Sequence, residues 1–308
     1  MGEALALLAL ALFSSNVLLV KVAAPRLGQD VGFLVGLAGN VAFAGLLLLG
    51  QSGLRTTPFR IEWGPFAMFV VGGLFTAYLG RRLFFRTVQS IGPSRASALQ
   101  ITNPVFAAAI SWLFLGEALG PAALGFVVLV IGGLYLTSQV PAKAPVPVAS
   151  GESVAGPEPR HARLPSREIV LGLVGAVSYA VGNVIRSTAV RHWDEAIFGG
   201  FVGASAATLI YLALHTDMRK LSERLRRADR LGLAMWGMSG VLTISAQISL
   251  IAATRHIPVA VGVVVAAAIP VLVIPASLLL FRNSEAVTAR TVVGALLILG
   301  GVAGLVLV

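Results

Sequence analysis

The sequence predicts an all-α membrane protein of ten transmembrane helices, arranged as two inverted five-helix repeats. Three observations predict it: an apolar composition, ten apolar runs of membrane-crossing length, and an internal repeat with a period near 167 residues. Residues of the AVILMFWYC set fill 57% of the 308 positions, charged residues fill 12%, and mean hydropathy is +0.89. Soluble domains carry about twice that charge. The 34 glycines also suit membrane helices, which use Gly more than soluble ones do. A hydrocarbon core about 30 Å thick needs about 20 apolar residues per helix. Ten spans with short connections therefore use up the chain and leave no room for a soluble catalytic domain.

The runs of the first half fall at 3–24, 31–50, 64–89, 94–115 and 119–140. The first of them lacks the basic start of a secretory signal, because Met1-Gly2-Glu3 has no Lys or Arg, and Lys21 stands where a cleavage site belongs. It reads as a span. The runs of the second half fall at 167–190, 195–214, 231–255, 257–281 and 286–308. Between the halves, 141–166 holds six prolines with Ala, Ser, Gly and charges, a composition that cannot bury a core and reads as an extended linker. The division is thus 1–140, a linker 141–166, and 167–308. The segment 216–230 is basic and reads as an amphipathic surface helix.

The two halves match in order. Asn16-Val17 pairs with Asn183-Val184, and Gly32 and Gly36 pair with Gly199 and Gly203, all at an offset of 167. Pro93 pairs with Pro258 at 165, while Glu117 with Glu285 and Gly132-Gly133 with Gly300-Gly301 pair at 168. An odd number of spans per half forces the second half into the membrane in the opposite sense. Such inverted repeats are typical of secondary transporters, with the substrate site near the midplane between the halves.

The stretch Ile91-Gly92-Pro93-Ser94-Arg95-Ala96, then Asn103-Pro104, Trp112-Leu113-Phe114-Leu115-Gly116-Glu117 and Gly132-Gly133, resembles the repeat of the drug/metabolite transporter superfamily, EamA branch. The second copy is degraded to Ile257-Pro258, Pro270 and Phe281-Arg282-Asn283-Ser284-Glu285. Within that branch the chain is most similar in size and plan to the bacterial aromatic amino-acid exporters. The resemblance implies a multi-pass protein of the bacterial inner membrane that exports small metabolites, amino acids foremost, by alternating access. The first, third, fourth, sixth, eighth and ninth spans would line the cavity, with the fifth and tenth outside them.

Polar groups deep in a span face the protein interior or a water-filled cavity. Tyr78 and Arg82 share a face of the third span at helical spacing. At the Pro93/Pro258 offset, Arg82 corresponds to Gln247 and Tyr78 to Thr243. Arg82 either meets a substrate carboxylate or snorkels to the headgroups. Asn16 and Asn183 either bind substrate or bridge helices, and Tyr179, one turn before Asn183, can stack on a ligand. Gln100 and Asn103 add polar lining, or Asn103-Pro104 is only a kink. The paired glycines read as close helix contacts, and Glu117 and Glu285 as helix caps.

Other chemistries find no support. No Asp or Glu lies inside a span, and the four histidines fall at or beyond span ends, so no proton relay is visible. There is no Walker A pattern, metal-ligand cluster or paired carboxylate, so neither an enzyme nor a cofactor is expected. With no Cys, thiolate chemistry is excluded. The net charge of +10 is scattered between apolar runs rather than gathered into a nucleic-acid surface. The partners implied are a small-molecule substrate and the lipid bilayer, with no oligomeric state specified. A sugar-phosphate or nucleotide-sugar transporter of the same superfamily is the alternative, and it needs a cluster of cations in the cavity. A non-transporting membrane protein is a further one.

Lys and Arg in short loops mark the cytoplasmic side. One face collects 17 of the 23, including those of the linker and of 216–230, and the other has Arg55, Arg60, Arg186, Arg191 and Arg255. This places the linker in the cytoplasm and both termini outside, whereas the resemblance implies termini inside.

Overall fold

A computed structural model describes residues 1–27, 29–55, 58–91, 96, 99–138, 166–215, 223, 225, 228–281 and 289–307. Pro93, Glu285, the linker up to residue 165 and most of 216–228 lie outside them. Every regular element among the described residues is helical: α1 (Gly2–Ala23), α2 (Gln29–Leu54), α3 (Trp63–Gly73), a π-helical segment (Leu74–Gly80), α4 (Arg81–Ile91), α5 (Asn103–Leu115), α6 (Pro121–Ser138), α7 (Ser166–His192), α8 (Ala196–His215), α9 (Arg230–Ala253), α10 (Val259–Ala267), α11 (Pro270–Phe281) and α12 (Ala289–Leu307). Among the described residues eight helices are long and apolar enough to cross a membrane, with Trp63–Phe84 and Val259–Ala276 each counted as one, and Asn103–Leu115 and Pro121–Thr137 are shorter apolar helices.

Local chemistry sets several boundaries. Pro104, Pro121 and Pro270 stand in first turns, where the missing N–H costs nothing. Gly116 ends α5 in the left-handed region at φ 67°, a conformation that suits glycine. Asp229 caps α9, accepting from the N–H groups of Leu231 and Gly232 at 3.2 Å each. The outer surface is apolar. Leu46, Leu49, Trp112, Leu113, Phe114 and Leu296 are all exposed, as lipid-facing residues must be.

Packing follows a reciprocal pattern across the linker. α1 packs on α9 and α10, and α7 packs on α3 and α5. α2 packs on α9, and α8 packs on α3, while α2 meets α8, α5 meets α10, and α6 meets α12. The glycines explain how these helices approach. Gly32 lies against the Trp236 ring and Gly240 against the Gly36 carbonyl, joining α2 to α9. Gly199 lies against the Phe69 ring, and a Cβ on Gly203 would stand 3.1 Å from Gly73 Cα, joining α8 to α3. Phe69 and Gly73 precede Trp236 and Gly240 by 167 residues, the offset that relates the other two pairs. Each half thus supplies a glycine pair to an aromatic and a glycine of the other.

The offset then falls to 165 at Pro93/Pro258, and the π-helical segment lies between. A π turn holds an extra residue, which accounts for part of the drift.

The ends of the bundle are charged. At one end Arg55 pairs with Glu195, Arg255 with Asp194, and Arg191 with Glu117. At the other, Arg26 pairs with Asp229 at 3.3 Å, and Ser90 donates to Glu168 at 2.7 Å. Two details differ from the sequence reading. Glu117 caps α10 rather than the helix that follows it, because its carboxylate accepts from the Val259 N–H at 2.9 Å. Arg186, counted above with an end, is inside the bundle and 5% exposed.

Candidate functional site

Two helices break at corresponding places. The run expected over 94–115 is interrupted by a turn at Ile101 and Thr102 before α5 starts at Asn103-Pro104. The run expected over 257–281 is interrupted at Ala268 and Ile269, before α11 starts at Pro270. A residue preceding proline disfavours the helical region, and proline brings no N–H to continue the ladder. Interrupted spans in matching positions of two halves are the best pointer to a transporter's binding region. Asn103 sits at the first break, and its Oδ1 is buried with no hydrogen-bond partner among the described residues.

α5 leads from that break to α7. Ala107, one turn beyond Asn103, packs in one cluster with Ala180 and Val184 of α7 and with Val259 and Val263 of α10. The polar residues of α7 interleave with this cluster. Arg186 donates from Nη2 to Asn183 Oδ1 at 2.7 Å and from Nη1 to Gln247 Oε1 of α9 at 3.0 Å. Its Nε is buried without a partner. Among the described residues Arg186 is the one buried charged side chain, and no carboxylate pairs with it. Tyr179, two turns earlier on α7, is half-buried and within electrostatic range of both Arg186 and Arg81.

Glycines make room for this arginine. A Cβ on Gly182 would stand 2.7 Å from the Gly72 carbonyl oxygen, and one on Gly72 would stand 2.5 Å from Arg186 Cγ. The crossing of α3 and α7 is thus close enough for the Arg186 stem to lie over bare backbone.

The remaining residues singled out from the sequence lie as follows. Asn16, half-buried on α1, accepts from Ser239 Oγ of α9 at 2.6 Å. Arg82 is exposed and donates to the Tyr78 hydroxyl at 2.7 Å, within its own span. Gln100 is half-buried just before the break. The structure therefore joins Asn183 to Gln247 through Arg186, sets Asn16 on a separate α1–α9 contact, and pairs Tyr78 with Arg82. Arg186 stands outside the set singled out from the sequence because a cation four residues from the end of an apolar run counts with the loop cations of that face. The signal that finds it is its spacing of three from Asn183, which puts both on one helical face.

An apolar cleft of about 610 Å³ opens between α3, α5 and α7, lined by Met68, Val71, Ile110, Phe114, Val184 and Thr188. None of the eight residues singled out from the sequence lines it. Its lining suits acyl chains, and the polar chemistry lies elsewhere.

The family model of the EamA-like transporter family matches residues 1–139 and 166–307. The chain belongs to the EamA-like transporter family, within the drug/metabolite transporter superfamily. Membership makes it a multi-pass membrane protein of a transporter class, with a small molecule as substrate. A solved crystal structure is similar in fold, with a TM-score of 0.68 at 17% identity, covering 98% of this chain and 95% of that one. No curated protein matches the chain.

Proposed function

We propose that the protein exports small metabolites, aromatic or other apolar amino acids foremost, across the bacterial inner membrane. Ten spans form two inverted five-helix halves, 1–140 and 167–308 joined by 141–166, which rock around a midplane cavity. The observation that carries this reading is the reciprocal packing: Gly32 and Gly36 on Trp236 and Gly240 in one direction, Gly199 and Gly203 on Phe69 and Gly73 in the other. A two-fold exchange of this kind leaves two equivalent routes into one central region, one from each side.

The amino-acid reading rests on the resemblance and on what the interior holds. A sugar phosphate needs several converging cations, and the one buried arginine among the described residues falls short of that. In proteoliposomes, unlabelled phenylalanine loaded inside should drive transient accumulation of labelled phenylalanine well above equilibrium. A panel in which no amino acid gives counterflow, while a sugar phosphate does, overturns the amino-acid reading in favour of the alternative.

A further inference from the structure

The structure assigns Arg186 as the anchor for a carboxylate of the transported molecule, with Asn183 and Gln247 holding its guanidinium in place. The inference rests on the amino-acid reading of the substrate and names the group that recognises its acid end.

An arginine is always charged, and removing that charge from water costs several kcal/mol unless a partner offsets it. Buried charges are accordingly paired in folded proteins. Arg186 is 5% exposed, yet its partners among the described residues are two neutral amide oxygens, Asn183 Oδ1 at 2.7 Å and Gln247 Oε1 at 3.0 Å. Two amides fix the direction of the fork but supply no negative charge. The buried Nε is left over as a donor. A guanidinium that uses its two Nη groups for orientation and keeps Nε in reserve is organised to receive one more acceptor.

The surroundings select an anion rather than a second protein group. Among the described residues, Tyr179 is the titratable group that acts on Arg186, and Arg81 in turn acts on Tyr179; neither carries a carboxylate. On α9, one turn before Gln247, Thr243 Oγ1 is also buried without a partner. Such orphaned buried polar atoms are rare in native structures. Of the seven such atoms among the described residues, Arg186 Nε and Thr243 Oγ1 fall on the two helices that Arg186 itself bridges, and Asn103 Oδ1 lies at the break of α5, while the other four belong to α1, α2, α8 and the Trp236 ring of α9. A carboxylate with a neighbouring amino group offers both the acceptor that Nε lacks and a donor for an amide or hydroxyl oxygen. Arg82, in contrast, is exposed and already bonded to Tyr78.

The test uses the full-length protein purified in detergent, with thermal unfolding followed against phenylalanine, phenylacetate and phenylalaninamide. Phenylalanine and phenylacetate should raise the midpoint, and the amide should need at least about tenfold more for the same rise, since a site built for one polar group rejects the analogue lacking it. Arg186→Gln should abolish that preference. Arg186→Lys, which keeps the charge and loses the fork, should weaken carboxylate binding and leave the response to the amide unchanged, so a misfolded glutamine variant does not end the test. Equal responses to acid and amide, a preference that survives in both variants, or no response to either carboxylate overturns the assignment. Counterflow separates this from the transport reading. Phenylalanine and its amide exchanging alike would remove the anchor and keep the transporter, whereas carboxylate binding without amino-acid counterflow would do the reverse.

Discussion

Gly133→Val should destabilise the protein by about 3 kcal/mol, the upper range for forcing methyl groups into a packed contact, while Gly132→Val, one residue away, should cost nothing. The difference is geometric. A Cβ on Gly133 would stand 2.5 Å from the Gly294 carbonyl oxygen and 2.9 Å from the Ile298 amide nitrogen, which are backbone atoms of α12 that no rotamer change can move. A Cβ on Gly132 meets nothing within 4 Å. The contact is also mutual, because a Cβ on Gly294 would stand 2.7 Å from the Gly133 carbonyl oxygen. With lipid as solvent, close backbone approach rather than hydrophobic burial holds two helices together, so separating α6 from α12 removes most of what joins them. Replacing Gly132 by a residue of better helix propensity gives back a few tenths of a kcal/mol. Thermal unfolding in detergent measures both. Equal midpoints for the two variants would show that this crossing does not hold the last helices of the two halves together.

The second large effect is expected at the charged end of the bundle. Glu117→Ala should lower stability by about 2 kcal/mol, combining a lost cap with a lost partly buried ion pair. The carboxylate accepts from the Val259 N–H at the start of α10 and pairs with Arg191 of α7. Arg191 also donates to the Thr254 carbonyl at 2.9 Å and to that of Ile257 at 3.3 Å. Glu117 therefore joins the loop after α5 to α7 and to the loop before α10, two halves through one side chain. Side-chain exposures of 10% for Glu117 and 29% for Arg191 keep solvent screening modest. Glu62→Ala, at an exposed position before α3, is the control and should leave the midpoint within error. A fall no larger than the control's would mean that the pair is ornamental.

How much of this was legible in the sequence depends on the kind of signal. Long apolar runs announce themselves, because each must satisfy its backbone inside hydrocarbon, and among the described residues eight of the ten expected runs hold helices long and apolar enough to span, while those expected over 94–115 and 119–140 hold shorter ones. The glycine pairs were legible as small residues at helical spacing. Their partners were not. Helices that are apolar nearly all round carry no hydrophobic face to show which side packs inward, so nothing marked Phe69 and Trp236 as the rings that Gly199 and Gly32 lie against. The break before Pro104 was half legible, since proline allows either a kink or a stop, and the turn at Ile101 and Thr102 decides it. Arg186 was hidden for an electrostatic reason. Near a span end, a cation that snorkels and a cation that turns inward leave the same trace in sequence, and only the positions of Asn183, Gln247 and Gly72 distinguish them. Moving Arg186 inside also leaves the paired end with fewer loop cations, which strengthens the charge bias toward the opposite face.

The central claim, two halves inserted in opposite senses, is tested most directly by labelling one pair of equivalent positions. Glu62 precedes α3, and Asp229 precedes α9, 167 residues further on, the offset that relates the glycine contacts. Both are exposed and the chain has no native cysteine, so Glu62→Cys and Asp229→Cys can each be read alone with an impermeant thiol reagent. Inverted halves predict that one position labels in intact cells and the other only after permeabilisation. The Lys and Arg bias further predicts that Glu62→Cys is the one labelled from outside. The reverse assignment would change the orientation and keep the architecture. Labelling of both positions from the same side of the membrane would contradict the inverted repeat itself.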